Sequence, residues 1–430
     1  MTEMSGSDGG HESADARLRH EIKTRREAAK LSQARLGALI GYTRQYVSLA
    51  EREGHNLPSL ELVTAIDDAL GAGGALVLLR DAARRTRLRA RTVSAPDQNR
   101  TVLPVADELS YDDDIVHVAI PRLRQALDAL DMPDDGPVRP IATLRYEVER
   151  LNQHRLNARY VDIVRCVPDL LAELSRARQH GDERHRGEVA SALTLALRAA
   201  DGVAFKFRYF DLSSRIIDLM RGFAAVAEDP LLGAVAAYVR TETYFASGDL
   251  TTASRVLEQA IDQVRVHSRA SAAALGALHM RAAVVAGRSM QADRARDHLA
   301  EAQRVAHGLR EDVYHGTAFG PLSVRIHKLA VAAEVADATG IEHAAKWHPP
   351  DHLPAERRSH YYIDLARAQT LLGRPSEAFT CIQTAKSIAP QHTRGHPQVK
   401  QVLGNLLSTW RHADGRLLDL AVWAKVDRRR

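Results

Sequence analysis

Hydrophobic positions recur at helical spacing along most of this 430-residue chain. Alanine and leucine dominate these positions, arginine and glutamate fill the polar faces between them, and strand-like alternation rarely exceeds a few residues. Prolines and turn formers interrupt the helical pattern at 92–114, 131–140 and 345–356. The pattern therefore predicts an all-α protein.

The first hundred residues predict five short helices joined by tight turns. Gly41 permits a turn between the second and third helices, and Ser32 and Thr43 are placed to cap them. The segment GALVLLRDAARR supplies the fifth helix. The predicted buried positions of the first four helices are Leu18, Ile22 and Ala29, then Leu36, Leu39 and Ile40, then Val47 and Ala50, then Leu60, Val63, Ile66 and Leu70.

From about residue 141 the predicted helices come in pairs. Three windows, which begin near Ala234, Gly276 and Ser359, superimpose on a 34-residue helix-turn-helix period and resemble the tetratricopeptide repeat. In each window small residues fall where the paired helices would approach closely, and larger apolar residues fill the gap between repeats. Segments 155–229 and 319–340 look like degenerate members, so the pattern predicts a helical solenoid.

Composition and punctuation divide the chain into four parts. Residues 1–16 are small, polar and acidic, unlike a signal peptide, and predict a disordered leader. A five-helix domain at 17–91, a linker at 92–114 and the repeat domain at 115–430 follow. No apolar run approaches the length of a membrane span, and only two cysteines are present, so we expect a cytoplasmic protein without a membrane partner.

The net charge of +5 is concentrated near the N-terminus. Residues 17–100 hold 16 Lys or Arg against 9 Asp or Glu, whereas residues 101–430 hold 43 against 41. Any polyanion binding is therefore expected in the first domain. The arginine-rich run at 84–91 could contact DNA phosphates or could simply be exposed to solvent, and the sequence favours the two interpretations about equally. The GAGG segment at 71–74 follows no strand, so we interpret it as a connection between helices.

No pattern in the sequence indicates catalysis or a bound cofactor. There is no nucleophile elbow, no P-loop and no pair of carboxylates in a glycine-framed loop. The 20 histidines are scattered without HExxH or CxxC spacing, which predicts solvated or hydrogen-bonded surface histidines rather than a metal site. We therefore expect neither an enzyme, a cofactor nor a metal.

The five-helix pattern resembles the Xre/Cro-repressor type of helix-turn-helix domain over about residues 17–80. The matching positions are Gln33-x-x-Leu36-Gly37-x-x-Ile40-Gly41, then Val47-Ser48-x-x-Glu51, then Pro58-Ser59. Two positions depart from the family pattern. Gly37 stands where alanine is usual, which lowers helix propensity, and Ala50 replaces a larger aliphatic residue, which predicts a thinly packed third helix.

This resemblance implies that the third helix lies in the major groove of double-stranded DNA. By position, Arg44 and Gln45 would read base edges, since arginine suits guanine and glutamine suits adenine. The full implied set, with Gln33, Thr43 and Tyr46 as phosphate contacts, is Gln33, Thr43, Arg44, Gln45, Tyr46, Ser48 and Arg52. The alternative is that these are solvated polar residues on an ordinary helical bundle.

The whole chain also resembles actinobacterial regulators that join such a domain to a tetratricopeptide region. The segments that carry this resemblance include DMPDDGPVRPIATLRYEV, TAFGPLSVRIHKLAVAAEV and LPAERRSHYYIDLARAQTLLGRPSEAF. Related peptide-pheromone-responsive regulators bind a short peptide on the concave face of the solenoid and form dimers. Relatives often carry asparagine where Ser323 stands, which implies a different ligand here, or none.

The first helix of each repeat would line that concave face. The implied effector-binding positions are Tyr238, Glu242, Phe245, Met280, Ile363, Arg367 and Thr370. For each position alone, packing between repeats is the simpler interpretation. The segment 202–220 interleaves aromatic and basic residues, which could stack on nucleic-acid bases. A solenoid core or a dimer contact is the favoured interpretation of that segment.

The combined expectation is a cytoplasmic, sequence-specific DNA-binding transcription regulator. Its expected partners are double-stranded DNA, a second copy of itself in a homodimer on a palindromic site, and a peptide or small-molecule effector. The alternative is a tetratricopeptide adaptor protein whose DNA binding is weak or secondary.

Overall fold

The computed structural model describes residues 14–42, 44–52, 58, 60–83, 105–409 and 415–426. The chain divides into two compact units, Met1–Val102 and Leu103–Arg430. Within these described ranges nearly all regular structure is helical, which confirms the all-α prediction. The predicted leader up to residue 13, most of the linker and the arginine-rich run lie outside the described residues.

The N-terminal unit contains the five predicted helices. They are α1 (Ala14–Ala28), α2 (Gln33–Ile40), α3 (Arg44–Glu51), α4 (Leu60–Ala69) and α5 (75–83). One apolar cluster joins them, formed by Leu18, Ile22, Leu36, Val47, Ala50, Leu62, Val63, Ile66, Ala72 and Leu76. Ala50 is only 1% exposed, so a small residue suffices at this contact. Helix α1 begins inside the predicted leader.

Two residues expected in this core lie on the surface instead. Leu39 is 62% exposed, and Ala29 is also exposed. Helix α2 is only eight residues long, so it buries a narrow stripe at Leu36 and Gly37 and leaves Leu39 on its outer side. The side chain of Leu60 lies outside the described residues.

Local hydrogen bonds fix the turns of this unit. The Ser32 hydroxyl accepts a hydrogen bond from the amide of Arg35, and Gly41 adopts the left-handed conformation with a φ of 73°. In the GAGG segment, Asp67 accepts hydrogen bonds from the amides of Gly74, at 2.6 Å, and Leu76, at 2.8 Å. The segment is therefore a capped connection between α4 and α5, as interpreted from the sequence.

The C-terminal unit is a succession of helices with one short strand pair. Its elements are α6 (Val105–Asp128), α7 (Ile141–Leu156), α8 (Tyr160–His180), a 3-10 turn (Glu183–His185), α9 (Arg186–Lys206), α10 (Phe210–Ala224), α11 (Leu231–Ser247), α12 (Leu250–Gln263), α13 (Arg269–Arg288), α14 (Ala292–His307), β1 (Asp312–Tyr314), β2 (Thr317–Phe319), α15 (Pro321–Glu334), α16 (Ala338–Ala345), α17 (Ala355–Leu371), α18 (Pro375–Ile388), α19 (Pro390–Gly395), α20 (Pro397–Thr409) and α21 (Gly415–Trp423). Helix α6 starts at Val105, so the predicted linker does not extend to residue 114. The proline breaks near 131–140 and 346–354 are confirmed.

The three windows with repeat spacing are helix-turn-helix pairs, α11–α12, α13–α14 and α17–α18. Gly248 and Gly373 end the first and third turns in the left-handed conformation. The small and aliphatic residues that were predicted to form the contacts are all buried; they are Ala253, Leu257, Ala260, Ala283, Ala286, Ala295, Leu299, Ala302, Ala366, Ala378, Ile382 and Ala385. The paired architecture is therefore confirmed, while the tetratricopeptide family remains a resemblance.

A two-stranded hairpin precedes the helices α15 and α16, which form the helical pair that was predicted at 319–340. Strands β1 and β2 pair antiparallel, with Tyr314 opposite Thr317. Each strand has three residues, which is too short for alternation to be recognised in the sequence. Phe319 ends β2 and is fully buried, where its ring lies against Gly276 of α13. The hairpin is thereby attached to the helical core.

Helix α13 is an exception to the expectation that no apolar run approaches the length of a membrane span. By length and hydropathy its 20 residues could cross a membrane. It is, however, a core helix, because most of that window is buried by the neighbouring helices. Arg281 also interrupts its apolar surface.

We predict that Gly276→Ala destabilises the C-terminal unit by about 1–3 kcal/mol. A Cβ at this position would lie 2.0 Å from the nearest ring carbon of Phe319, so the ring must move. Urea denaturation followed by circular dichroism measures the change. Gly404→Ala in α20 is the matched control, since its Cβ meets nothing within 4 Å and the higher helix propensity of alanine favours folding. Equal midpoints for the two variants would contradict the prediction.

Candidate nucleic-acid interface and ligand cavity

Helix α3 presents a polar face on the N-terminal unit. Arg44 and Tyr46 in its first turn are exposed, as is Arg52 just beyond its end, and Ser48 is half-buried. The ring of Tyr46 packs edge-on against Tyr42, with 5.7 Å between the ring centroids. Thr43 and the side chain of Gln45 lie outside the described residues.

A buried ion pair fixes the end of α3 against α1. The Glu51 carboxylate accepts two hydrogen bonds from Arg26, from Nε at 2.5 Å and from Nη2 at 2.9 Å. The carboxylate of Glu51 raises the pKa of the Arg26 guanidinium, chiefly through these hydrogen bonds. Arg26 also donates to the carbonyl of Leu31 at 2.7 Å, at the start of the segment that leads into α2. One arginine therefore holds all three helices in position.

Gln33 belongs to the same network. Its Nε2 donates to Oε2 of Glu51 at 2.9 Å. An amide nitrogen carries two hydrogens, and Gln33 also begins α2, so one side-chain hydrogen and the backbone amide remain suited to a phosphate. Its predicted phosphate contact is compatible with this internal bond. The sequence motif included Glu51, but it gave no indication that Arg26 was its partner.

Arg19 provides a second attachment for α3. Its side chain is 1% exposed, and its Nη1 donates to the carbonyl of Leu49 at 2.9 Å. A cation near the last carbonyls of a helix also interacts favourably with the helix dipole. Two buried arginines of α1, Arg19 and Arg26, thus fix the orientation of α3 and of its outward face.

The C-terminal unit contains a cavity of about 370 Å³ between α7, α9, α11, α13, α15 and α17. Three of the predicted effector positions, Tyr238, Glu242 and Phe245, line it. They lie on the same face of α11 because they are separated by four and three residues.

The other four predicted positions do not line the cavity. Met280 and Ile363 are fully buried among apolar neighbours, because each is rotated about one residue away from the cavity wall. Arg367 pairs with Glu334 at 2.5 Å, and the Thr370 hydroxyl donates to the carbonyl of Ala366 at 2.8 Å. Sequence spacing located the helices correctly, but it misplaced the lining face of α13 and α17.

Charged side chains form much of the cavity wall, and of these only Glu242 was assigned from the sequence. Its cations are Arg155, Arg198, Lys206, Arg208, Arg281, Arg288 and Arg357. Its carboxyl groups are Asp201, Glu242, Glu334, Glu356 and Asp364. Burial raises the pKa of Asp201 well above its usual range and that of Asp364 to about 7. The wall is therefore net positive at neutral pH.

Three histidines meet beside this cavity, which corrects the expectation of surface histidines. The side-chain nitrogens of His360, His392 and His396 lie within 4.8 Å of one another. Burial, and then the Lys206 ammonium, lowers the pKa of His392 to about 3, so the ring is neutral. Lys206 donates to Nε2 of His392 at 3.0 Å, so a metal ion would have to displace this ammonium.

The aromatic and basic segment at 202–220 contributes to both core and cavity. Phe207 packs edge-on against Tyr160 in the core. Phe205, Arg208 and Phe210 instead line the cavity. The favoured interpretation of a solenoid core thus describes only part of this segment.

The comparison with known families matches the N-terminal unit. Residues 17–79 match a family model described as a helix-turn-helix domain. The matched range contains all of α2 and α3 and most of α1 and α5. No curated protein matches the chain. The match supports DNA binding and transcription regulation in general.

We predict that Glu51→Gln destabilises the N-terminal unit by about 2–4 kcal/mol, because it removes the charge that compensates buried Arg26. Hydrogen–deuterium exchange of peptides from 14–83 measures this loss as faster exchange. Glu21→Gln in α1 is the control, since its pair with Arg25 is about one-third exposed and contributes little. Equal protection in both variants would refute the role of Glu51.

Two buried groups of the cavity predict opposite effects of pH. Burial lowers the pKa of His327 to about 3, so the unfolded chain takes up a proton below pH 6.5 that the folded protein excludes. Stability from this group is thus lost as the pH falls, by about 1.4 kcal/mol per pH unit. The pKa of Asp364 is raised to about 7, so its contribution is instead lost as the pH rises from 4 to 7.

The corresponding variants are His327→Gln and Asp364→Asn. Between pH 4 and 6.5, we expect the first to lower and the second to raise the slope of the unfolding free energy against pH, each by about 1.4 kcal/mol per pH unit. Urea titrations at half-unit pH intervals measure both slopes. Variants whose slopes equal the wild-type slope would contradict the assignment of buried neutral groups.

Proposed function

We propose that this protein is a sequence-specific DNA-binding transcription regulator that acts as a dimer on a palindromic operator. The helix-turn-helix match at 17–79 carries this proposal. It is supported by the positive charge of the N-terminal segment and by the rigid attachment of α3 through Arg26 and Glu51. In this proposal the protein acts in the cytoplasm and has no catalytic role.

In the proposed complex, α3 enters the major groove. Arg44 in its first turn donates to the two acceptors of guanine, and Gln45 pairs with adenine. Gln33, Thr43 and Tyr46 contact phosphates, and Ser48 and Arg52 complete the interface. A dimer sets two copies of α3 about one helical turn of DNA apart.

The C-terminal unit supplies effector binding in this proposal, through the cavity that Tyr238, Glu242 and Phe245 line. A ligand there changes operator affinity only if it binds two states of the dimer with different affinities. A cavity of about 370 Å³ suits a small molecule or a few residues of a peptide.

We predict that Arg44→Ala weakens operator binding by about 5- to 150-fold, the equivalent of one lost bidentate base contact. Operators are first selected from random DNA duplexes with the wild-type protein, and affinities are then measured by fluorescence anisotropy at fixed salt. Gln45→Ala is expected to relax specificity at a neighbouring base pair.

Arg25→Ala in α1 is the control, because it removes one positive charge from the same unit without altering α3. Its affinity should stay within a few-fold of the wild type. Failure to select a discrete sequence, or equal binding by Arg44→Ala and Arg25→Ala, would favour an adaptor role with secondary DNA binding.

A further inference from the structure

We propose that the cavity of the C-terminal unit binds an anionic small molecule, whose carboxylate or phosphate is held by Arg155, Arg281 and Arg357. This inference specifies the chemistry of the effector site in the proposed function. It rests on the charge balance of the wall, on unpartnered donors that line it, and on its aromatic surfaces.

The first observation is that several buried arginines lack a carboxylate partner. Among the described residues, no carboxylate oxygen lies within 4.0 Å of the guanidinium nitrogens of Arg155, Arg198 or Arg357. Arg155 and Arg198 donate to the main-chain carbonyls of Gly316 and His315. Burial with only neutral hydrogen-bond partners is costly for Arg155 and Arg198, and an anionic ligand would offset that cost.

Three of the five carboxyl groups of the wall are engaged by other groups as follows. Glu334 accepts from Arg288 at 3.2 Å as well as from Arg367. The carboxyl group of Asp201 is bound by the Ser213 hydroxyl at 2.5 Å. Glu242 lies 3.3 Å from one nitrogen of Arg281, which leaves the other donors of that guanidinium available. Internal ion pairing therefore leaves part of the positive charge uncompensated.

The second observation is a set of hydrogen-bonding groups that have no partner in the described part of the chain. The Nε atoms of Arg155, Arg281 and Arg357 are buried without a hydrogen-bond acceptor. The hydroxyl of Tyr160 is buried in the same way. All four residues line this one cavity. Carboxylate and phosphate oxygens are the acceptors that arginine donors bind most strongly.

The electrostatic environment of Tyr238 also supports an anion site. Burial alone would raise the pKa of this phenol, but Arg281, Arg357 and Arg198 outweigh burial and lower it to about 8. Arg281 lies over the Tyr238 ring, with its guanidinium carbon 4.1 Å from the centroid. The charges that favour a phenolate here also favour a ligand anion in the same space.

The remaining wall indicates an apolar or aromatic body on the ligand. Phe245 lies beneath Arg288, 4.1 Å from its guanidinium carbon to the ring centroid. Phe205 and Phe210 form a second aromatic surface, with 5.7 Å between their ring centroids. The volume of the cavity is in the range of small-molecule sites. An aromatic acid or an aromatic phosphate fits both parts of this wall.

The test compares two fluorescent probes on the full-length protein. The anionic probe is 1-anilinonaphthalene-8-sulfonate, and the neutral probe is N-phenyl-1-naphthylamine, which has the same aromatic body without the sulfonate. We expect one molecule of the anionic probe per chain, bound at least tenfold more tightly than the neutral probe. Equal affinities, or a stoichiometry well above one, would overturn the proposal.

Charge-removing variants locate the bound anion. Arg281→Gln and Arg357→Gln should each lower the affinity for the anionic probe at least tenfold. Each should change the affinity for the neutral probe less than threefold. Arg221→Gln is the control, because it removes an exposed arginine that pairs with Asp218 on the outside of α10. Unchanged binding of the anionic probe in both cavity variants would place it elsewhere and refute the site.

Competition on the wild-type protein keeps the proposal testable if a variant fails to fold. Benzoate and phenyl phosphate should displace the anionic probe, and neutral benzamide should not. The stronger of the two anions identifies the headgroup as carboxylate or phosphate. Displacement by benzamide at the same concentrations would overturn the requirement for charge. Because operator binding is measured with Arg44→Ala, failure of the anion site and failure of DNA binding are read out independently.

Discussion

Close approach of paired helices through alanine and glycine is the constraint on which the C-terminal unit depends. Ala283, Ala295 and Ala302 bring α13 and α14 together, and Ala366 and Ala378 do the same for α17 and α18. Small side chains fill the space within each pair, so the larger side chains of the first helices extend to the opposite side. There some of them line a cavity beside the apolar core, where several arginines lie together with aromatic residues.

In the N-terminal unit, buried charged groups rather than close helix contacts determine how the helices are held. Its apolar core is small, and Ala50 contributes little area to it, so buried polar bonds determine the orientation of α3. Arg26 and Glu51 have complementary geometry and satisfy each other almost completely. In the C-terminal unit, three buried arginines of the cavity wall have no such carboxylate partner among the described residues. The same residue type is therefore structural in one unit and available for binding in the other.

Helix periodicity was sufficient to predict the fold class, the five N-terminal helices and the three helical pairs. It failed where a contact depends on tertiary geometry. Leu39 was assigned to the core because its spacing fits, yet it lies on the outer side of α2. Met280 and Ile363 were assigned to a groove although each lies one residue from a lining position. The ion pair of Arg26 with Glu51 and the cluster of His360, His392 and His396 join distant segments, which no local pattern reveals.

The turn of the β-hairpin has a consequence for how this protein can vary. Arg155 and Arg198 are held by carbonyl oxygens of residues 315 and 316, and main-chain acceptors persist through any substitution of the side chains. Gly316 is the exception, since its φ is 71° and a Cβ there would lie 3.2 Å from Asn152 Oδ1 and 3.4 Å from Arg155. The acceptor of Arg155 therefore depends on glycine at residue 316, whereas the acceptor of Arg198 belongs to His315, which itself adopts the left-handed conformation with a φ of 48°. Gly316 lies outside the cavity lining, yet a substitution there would shift a wall arginine and so change the positive charge that the cavity presents.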